Sequence, residues 1–339
     1  MGLSYYNSYL PNCLWSIILS GGEGQRLRPH IERWLGRHIP KQYCTFVGTR
    51  SMLQHTWDRA DQLTAPHQKL TVLDRTHQDI VCPMVHPCKA GRFVFQPRNR
   101  DTAAGVFLPL TYVRSWNPAA TVIIYPSDHF IYPEELFMNN VWAAVRATEQ
   151  WSHRIFLLGA APTGMELDYG WIEKRERLGW ANGAELWSVE SFKEKPLTAP
   201  RWSVLENGWL WNTMIVVAKL EAIWDVGWQC FPSLMERFTA LGKVIGTQRE
   251  SATLDALYDD MPLHNFSAEL LGQAVERLGV MEMHNVLWSD WGRPERIVDT
   301  LKGIGKVPRF PIEHFAAHNS HGHFFENVME IGRRVGGRT

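Results

Sequence analysis

The feature that most constrains this chain is a glycine-rich loop placed directly after a short apolar run. Residues Leu14–Ser20 are almost continuously apolar, which is typical of a strand buried on both faces of a parallel sheet. Three glycines follow within four positions, at Gly21, Gly22 and Gly24. Glycine allows a tight turn in which backbone N–H groups approach an oxyanion. Because Arg26 lies close behind them, the loop predicts a phosphate-binding site.

Two well-known glycine motifs do not fit this loop. A Walker-type loop requires Lys-Ser or Lys-Thr after its glycines, and neither dipeptide follows here. The dinucleotide fingerprint Gly-x-Gly-x-x-Gly has Leu27 in place of its third glycine. An ordinary strand-to-helix turn is the simplest alternative. However, Arg26, Arg28 and Lys41 follow at close spacing and favour phosphate binding.

The same stretch carries a family resemblance. Gly-Gly-x-Gly-x-Arg-Leu-x-Pro followed by Pro-Lys-Gln resembles the signature of the sugar-1-phosphate nucleotidyltransferases, and most of all the mannose-1-phosphate guanylyltransferase (GDP-mannose pyrophosphorylase) group. Two differences are visible: Gln25 stands where that family usually has Thr, and the segment from Pro29 to Pro40 is longer. The resemblance implies that the glycine loop and Arg26 hold a nucleoside triphosphate, while Lys41 faces its phosphates.

A second segment matches the part of the family that lies against the nucleotide base and phosphates. Gln96-Pro-Arg-Asn-Arg-Asp-Thr-Ala-Ala104 resembles the family segment Glu-Pro-x-x-Arg-Asn-Thr-Ala. Arg100 and Thr102 match, whereas Gln96 and Asp101 replace Glu and Asn. The resemblance therefore makes these four residues candidates for nucleotide binding. Helix capping by Asp101 is the structural alternative, and it is compatible with a functional role.

Two aspartates are the candidate metal ligands. Asp128, in Tyr125-Pro-Ser-Asp-His129, follows a predicted strand at its carboxyl end, where open α/β sheets bind ligands. An aspartate at this edge suits a hard divalent cation. The segment resembles the family's Pro-Ala-Asp-His, whose Asp binds magnesium, and Trp288-Ser-Asp-Trp-Gly292 resembles Gly-Trp-x-Asp-Val-Gly. The resemblance implies a Mg²⁺ cofactor on Asp128 and Asp290, although either Asp alone would more often be a turn residue.

Three further segments resemble the sugar side of the family site. Glu166-Leu-Asp-Tyr-Gly-Trp-Ile172 is similar to Glu-Thr-Gly-Tyr-Gly-Tyr-Ile, Phe192-Lys-Glu-Lys-Pro196 to Phe-Val-Glu-Lys-Pro, and Trp211-Asn-Thr-Met-Ile215 to Trp-Asn-Ser-Gly-Met. The resemblance implies sugar or sugar-phosphate contacts for six positions: Glu166, Tyr169, Gly170, Glu194, Lys195 and Asn212. A run such as Lys-Glu-Lys is ordinarily a solvated face. Met214 replaces a family glycine, and we expect its side chain to face the core.

The apolar patterns predict an α/β fold in which strands and helices alternate into a doubly wound, mostly parallel, Rossmann-like sheet. Strands are predicted at Leu14–Ser20, Leu70–Leu73, Arg92–Phe95, Thr121–Tyr125 and Arg154–Ala160, and helices at Ser51–Leu63, Asp101–Trp116 and Glu134–Gln150. An added strand-and-helix, sugar-binding region is predicted from strands at Tyr169–Arg177, Glu185–Lys195 and Trp209–Val217 and helical patterns at Pro200–Asn207, Pro232–Met261 and Ser267–Leu278. We expect a catalytic domain at 10–305 and a C-terminal tail or packing extension at 306–339.

Composition excludes several partners. The 339 residues hold 35 Lys plus Arg and 35 Asp plus Glu, so no global charge attracts nucleic acid or an anionic membrane. The first apolar run is too short to span a membrane. Five cysteines without Cys-x-x-Cys spacing argue against a disulfide framework and favour a reducing cytoplasm.

The motifs together span roughly residues 14 to 300 and imply nucleotidyl transfer. The expected substrates are GTP and mannose 1-phosphate, with Arg26, Lys41, Asp128 and Lys195 as the catalytic residues. The alternatives are transfer from dTTP, CTP or ATP, with glucose 1-phosphate as the acceptor, or a related glycosyltransferase. A non-catalytic nucleotide-sugar sensor is a further alternative, and a homodimer is left open.

Overall fold

The computed structural model describes residues 13–85, 91–197 and 208–315. Within these ranges, nine strands form one large sheet and two form a small one. In chain order the strands are β1 (Leu14–Ser20), β2 (Lys69–Asp74), β3 (Arg92–Gln96), β4 (Thr121–Pro126), β5 (Phe130–Tyr132), β6 (Ile155–Ala160), β7 (Trp171–Ala181), β8 (Ala184–Lys193), β9 (Leu210–Lys219), β10 (Leu278–Glu282) and β11 (Leu287–Ser289).

Helices connect most of these strands. In the described ranges they are α1 (Arg28–Leu35), α2 (Met52–Ala60), α3 (Gln78–Val81), α4 (Asp101–Trp116), α5 (Glu134–Gln150), α6 (Leu220–Cys230), α7 (Pro232–Gly242), α8 (Glu250–Asp259) and α9 (Pro294–Gly303). Ser51 caps α2, because its hydroxyl accepts from the N–H of Gln54, whose side chain in turn accepts from the N–H of Ser51. Among the residues described, no helix has the length and apolarity needed to cross a membrane.

The large sheet has the order β3-β2-β1-β4-β9-β6-β10-β8-β7. β1 pairs in parallel with β2 and β4, as β2 does with β3 and β6 with β10. Strand β9 runs antiparallel between β4 and β6, and β8 runs antiparallel between β10 and β7. All strands of this sheet except β8 and β9 therefore point the same way. The predicted mostly parallel α/β sheet is confirmed.

Both faces of the sheet are covered by helices. Side chains from one face pack against α4, α6, α7 and α8, and those from the other face pack against α2 and α5. The neighbouring residues Ile17 and Ile18 of β1 belong to opposite clusters, and both are fully buried. This two-sided burial explains why β1 is apolar along nearly its whole length instead of alternating.

The carboxyl ends of four adjacent parallel strands meet at one edge of the sheet. The glycine loop follows β1, Asp74 ends β2, Gln96 ends β3, and Asp128 lies just after β4. Residues that are distant in sequence are therefore collected at the edge where open α/β sheets bind ligands.

The helical pattern predicted at Ser267–Leu278 is confirmed for most of its length, but it forms a π-helical segment followed by the short 3-10 helix Val275–Arg277 and not one regular α-helix. Phe266–Leu271 forms a short π-helical segment, and the chain then enters β10 (Leu278–Glu282), which pairs with β6. Gly279 does not end a helix. It pairs directly opposite Phe156, and a Cβ at this position would lie 2.5 Å from the Phe156 ring. β10, which the sequence did not predict, adds a buried, paired strand to the sheet.

The described start of the predicted tail packs on the rest of the chain. Residues 306–315 place Phe310 and Phe315 in a buried cluster with side chains of α1 and α9. Residues 316–339 and the predicted helix Pro200–Asn207 lie outside the described residues.

The packing of Gly279 against Phe156 generates a stability prediction. Gly279→Ala is expected to lower the free energy of unfolding by about 1–3 kcal/mol, because an added methyl must displace a buried ring. Urea denaturation monitored by tryptophan fluorescence measures this change. Gly272→Ala is the matched control, since its nearest atom would be 3.9 Å away. Equal stabilities for the two variants would contradict the packing described here.

Candidate active site

The glycine loop is held in place by the Lys-Gln-Tyr segment. The side-chain amide of Gln42 donates to the carbonyl oxygens of Ser20, at 3.2 Å, and Gly22, at 2.7 Å. The Tyr43 hydroxyl donates to the same Ser20 oxygen at 3.0 Å. Burial raises the pKa of Tyr43 to about 12, so this hydroxyl keeps its proton at neutral pH. Neither side chain uses the N–H groups of the loop, which therefore remain available to a ligand.

The structure brings the loop against other predicted nucleotide-site residues. Gly24 has a φ of +62°, which glycine adopts without strain, and a Cβ there would lie 3.1 Å from the backbone nitrogen of Lys41. Gly21 lies against the side chain of Gln96. At Gly22, no described atom comes within 4 Å of the position that a Cβ would take. The loop is therefore closely packed at two points and open at a third.

Lys41 joins the two candidate metal ligands. Its side chain is buried, and its Nζ lies 2.8 Å from Oδ2 of Asp128 while donating to the backbone carbonyl of Asp290. Burial by itself raises the pKa of Asp128. The Lys41 ammonium and the neighbouring His129 outweigh that effect and hold the pKa below its usual range. Asp128 is therefore ionised at neutral pH.

The small sheet explains why two aspartates so far apart in sequence meet. β5 begins two residues after Asp128, and β11 ends one residue before Asp290. The strands are antiparallel, with Ser289 opposite Phe130, so the aspartates emerge at the same end of the pair. The tryptophan after Asp290, Trp291, stacks on Phe130 with ring centroids 4.4 Å apart, which strengthens this junction.

The carboxylate of Asp290 accepts hydrogen bonds mainly through one of its two oxygens. Its Oδ1 accepts from the Tyr169 hydroxyl at 2.9 Å, from Arg296 at 2.9 Å and from the Gly292 N–H at 2.8 Å. Its Oδ2 accepts from Arg26 at 3.1 Å. Burial alone raises the pKa of Asp290, but the nearby ammonium and guanidinium groups lower it far below its usual range. A fixed, negatively charged carboxylate results.

These two aspartates fit a magnesium site that is completed by substrate. No group of three or more His, Cys, Asp or Glu side chains suited to a metal occurs in the described part of the chain. Mg²⁺, however, is commonly held by one or two carboxylates together with substrate phosphates and water. Asp128 is partly exposed, and Asp290 has one oxygen, Oδ2, whose protein donor is the exposed Arg26. The donor set therefore suits a hard cation once phosphates are present.

The predicted sugar-side residues also lie together. Gly170 is flanked by the Glu194 carboxylate and the Asn212 side chain, and its carbonyl accepts from the N–H of Asn212 at 2.8 Å. The N–H of Lys195 donates to the carbonyl of Tyr169 at 3.2 Å, and its exposed ammonium lies 3.5 Å from Glu194. Burial raises the pKa of Glu194 although the adjacent ammonium lowers it.

Glu166, one of the predicted sugar-binding residues, is linked to the candidate metal ligand Asp290. Its carboxylate pairs with the buried Arg296, whose guanidinium also lies 4.7 Å from the centre of the Tyr169 ring. Arg296 in turn donates to Asp290. Glu166 and Tyr169 are thus joined to the candidate metal ligand through one arginine.

The other residues predicted to bind the nucleotide, Arg100, Asp101 and Thr102, lie at or next to the start of α4. Arg100 donates to the backbone carbonyls of Tyr258, at 3.0 Å, and Asp259, at 2.6 Å. Asp101, with a φ of +61°, is the first residue of α4 and not its N-cap. The hydroxyl of Thr102 accepts from a backbone N–H in the π-helical segment at 2.8 Å. A nucleotide role for these three stays a prediction.

The sequence analysis missed several residues that position the site. Gln42 and Tyr43 hold the loop, and Arg296 orients Asp290. A signal was present for Arg296, since it follows Asp290 by six residues in the first turn of a helix that begins with proline. No comparable local signal marks the ion pair of Arg293 with Asp168, which depends on the fold.

Comparisons with known proteins agree with this geometry. A family model described as nucleotidyl transferase matches residues 15–306. The xanthan biosynthesis protein XanB of Xanthomonas campestris pv. campestris (strain B100) is 33% identical over 201 residues, which cover 58% of this chain and 40% of that protein. A mannose-1-phosphate guanylyltransferase of Salmonella montevideo is 31% identical over 202 residues, covering 58% and 41%. The matched region spans less than half the length of these relatives.

Solved structures share the fold. One described as mannose-1-phosphate geranyltransferase from Thermus thermophilus superposes with a TM-score of 0.71 at 24% identity, over 84% of this chain and 79% of that one. One described as mannose-6-phosphate isomerase from Helicobacter pylori gives 0.61 at 17% identity, over 81% and 99%. At such identities these likenesses concern the fold alone. Because the family model covers most of the sequence, this chain belongs to the nucleotidyl transferase family.

Proposed function

We propose that this chain transfers a nucleoside monophosphate from a triphosphate to a hexose 1-phosphate, and that the substrates are GTP and mannose 1-phosphate. The observation that carries this proposal is the buried Lys41, which contacts Asp128 and Asp290 beside the glycine loop. A cation between two carboxylates and an open loop suits a reaction among phosphate groups. The choice of GTP and mannose rests on the names of curated relatives such as the Salmonella enzyme.

The proposed reaction needs no covalent intermediate on the enzyme. An oxygen of the sugar phosphate attacks the α-phosphorus of the triphosphate, the bond from that phosphorus to the bridging oxygen breaks, and pyrophosphate leaves. The loop N–H groups and Arg26 bind the departing phosphates. Lys41 stabilises charge at the α-phosphate, and Lys195 orients the sugar phosphate. The chain thus acts by positioning and charge neutralisation.

We propose Mg²⁺ as the cofactor, held by Asp128 and Asp290. When bound there, it would neutralise charge on the attacking and transferred phosphates. In this structure Arg26 donates to Oδ2 of Asp290. If a phosphate group took the place of Asp290 as the partner of Arg26, that carboxylate oxygen would be free to bind the cation.

We also propose that the reaction takes place in a reducing cytoplasm. The described cysteines Cys13, Cys44, Cys82 and Cys230 are free thiols. Free thiols persist where glutathione and thioredoxin keep cysteines reduced.

The substrate pair is tested directly. Protein incubated with magnesium and GTP plus mannose 1-phosphate is expected to release pyrophosphate and form GDP-mannose, which a coupled assay and chromatography measure. Parallel reactions with dTTP, CTP and ATP, and with glucose 1-phosphate, form the panel. Strong turnover with another base and none with GTP would overturn the base assignment while retaining nucleotidyl transfer.

The two exposed cations are expected to serve different substrates. Lys195→Ala should raise the KM for the sugar phosphate by about tenfold or more, because its ammonium lies beside Glu194 on the sugar side. Arg26→Ala should mainly lower kcat and raise the KM for GTP, because it borders the glycine loop. Steady-state kinetics with each substrate varied in turn measures both effects.

Matched controls exist for both variants. Lys193→Ala removes a lysine of the same segment that lies over the Trp209 ring, and Arg146→Ala removes an arginine paired with Glu149 at the surface of α5. Both controls should keep near-normal kinetics. Identical kinetic defects in Lys195→Ala and Arg26→Ala would refute the division of roles.

Replacing either candidate metal ligand is expected to affect both metal binding and the stability of the protein. Asp128→Asn and Asp290→Asn should both abolish magnesium-dependent turnover and weaken Mn²⁺ binding, which electron paramagnetic resonance detects without turnover. Asp290→Asn should also lower the free energy of unfolding by roughly 3 kcal/mol, because it breaks a buried pair with Arg296. Asp128→Asn should lower it as well, because it leaves the buried ammonium of Lys41 without its carboxylate partner. Unchanged Mn²⁺ binding in either variant would remove that residue from the site.

A further inference from the structure

Three guanidinium groups converge on one oxygen atom outside the predicted metal site. Oδ2 of Asp168 lies 2.6 Å from Nη2 of Arg293, 3.6 Å from Nη1 of Arg26 and 3.6 Å from Nη2 of Arg296. The sequence analysis gave Asp168 no role, and neither Arg293 nor Arg296 was among its candidates. Three arginines directed at one carboxylate oxygen form a cluster with the charge and donors of a phosphate site.

The three arginines differ in how firmly they are held. Arg296 is buried, paired with Glu166 and Asp290, and therefore fixed. The side chains of Arg26 and Arg293 are 55% and 52% exposed, so each has donors that face solvent. A phosphoryl group can accept from all three guanidiniums only if the carboxylate of Asp168 leaves the position between them.

The position of Asp168 in the chain accounts for its place in the cluster. The residue lies between β6 and β7, outside regular structure, and directly precedes Tyr169, whose hydroxyl binds Asp290. The carboxylate is therefore placed at the edge of the site by a loop whose next residue is part of it.

We propose that the Asp168 carboxylate occupies the position of a substrate phosphoryl group, and that Arg26, Arg293 and Arg296 bind that group when Asp168 is displaced. Arg293 is then a phosphate-binding residue, and Asp168 is an internal competitor that sets the affinity for phosphates. This proposal rests on the proposed function, since it assigns the cluster to a phosphoryl group of the triphosphate or of the sugar 1-phosphate.

Competition gives the expected direction of change. An anion that enters the cluster must displace a carboxylate that already has three cationic partners, so its apparent affinity is reduced. Replacing the carboxylate with a neutral amide of the same size removes both the competition and the like-charge repulsion. The affinity for a phosphate compound should therefore rise in Asp168→Asn, by about tenfold, which corresponds to 1.4 kcal/mol.

Binding of inorganic pyrophosphate to the full chain tests this without turnover. Isothermal titration calorimetry should give a dissociation constant about tenfold lower for Asp168→Asn than for the unaltered protein, in buffer without divalent cations. Glu221→Gln is the matched control: it removes one negative charge paired with Arg114, and neither residue lies in the site. An equal gain in that control, or a failure of Asp168→Asn to bind either pyrophosphate or mannose 1-phosphate more tightly, overturns the proposal.

Arg293→Gln keeps the test decisive if Asp168→Asn does not fold. Arg293 is half exposed, and Arg293→Gln alone should raise the dissociation constant for pyrophosphate several-fold. If Asp168→Asn folds, the same increase is expected when the two substitutions are combined. An unchanged constant would overturn its assignment as a phosphate-binding residue. A second titration series with mannose 1-phosphate identifies the source of the phosphoryl group, because the ligand whose affinity rises in Asp168→Asn is the one that the cluster receives.

The outcome separates this inference from the proposed function. If no pair of triphosphate and sugar phosphate supports turnover but Asp168→Asn still binds pyrophosphate more tightly, the arginine cluster binds phosphate and the proposed reaction is wrong. If turnover is confirmed but neither phosphate compound binds more tightly to Asp168→Asn, the proposed reaction is right and the role of the cluster is wrong.

Discussion

The contact on which the site depends is that of the Lys41 ammonium with Asp128 and the backbone of Asp290. A buried ammonium is costly unless it is paired and hydrogen-bonded, and here both requirements are met by two residues that are far apart in the sequence. The pairing holds only if Lys41 is packed against Gly24 and if β5 and β11 keep their register. A glycine turn, a buried cation and a short pair of strands therefore depend on one another.

The order of the sheet follows from the same requirement for burial. The apolar runs that form β1, β4 and β6 carry enough local information to predict strands, and α4 and α5 begin and end where the pattern indicates. The direction and place of β9 were not predictable in this way, because pairing between β4 and β6 depends on contacts far apart in sequence. β10 was not predicted either, because its pairing with β6 joins segments that are far apart in sequence.

The residues of the site, like the strands, could be predicted only in part from the sequence. The resemblance placed Lys41, Asp128, Asp290, Glu194 and Asn212 in functional segments, and the structure brings those segments together. It gave no indication of Arg293, whose partner Asp168 lies well over a hundred residues earlier. A motif can point only to the residues that it contains. The ion pair between Arg293 and Asp168 joins residues that no single motif contains, so it is recognised only in the folded structure.

Met214 shows what the backbone adds to such a comparison. It replaces a family glycine and has a φ of +58° in a bulge, where four residues of β9 span the length of two in β6. Bulges commonly place glycine in this left-handed region, which explains the glycine of the family segment. For methionine the conformation costs about 1–2 kcal/mol. The N–H of Met214 donates to Asn212 at 3.0 Å, and its sulfur accepts from Ser267 at 3.3 Å.

The side chain of Met214 is half-buried and packs against the apolar core, as the sequence led us to expect. Burying a whole methionine side chain contributes about 1.5–3 kcal/mol, and a half-buried one contributes less. The gain from packing and the cost of the backbone are therefore of similar size. Stability alone gives little reason to prefer methionine over glycine at this position. What methionine adds is a contact between the bulge, which also contains Asn212, and the segment of Ser267. The neighbouring Phe266 N–H donates to the hydroxyl of Thr102 at the start of α4. The residues predicted to bind the sugar and those predicted to bind the nucleotide are thereby joined through a contact that a glycine does not make.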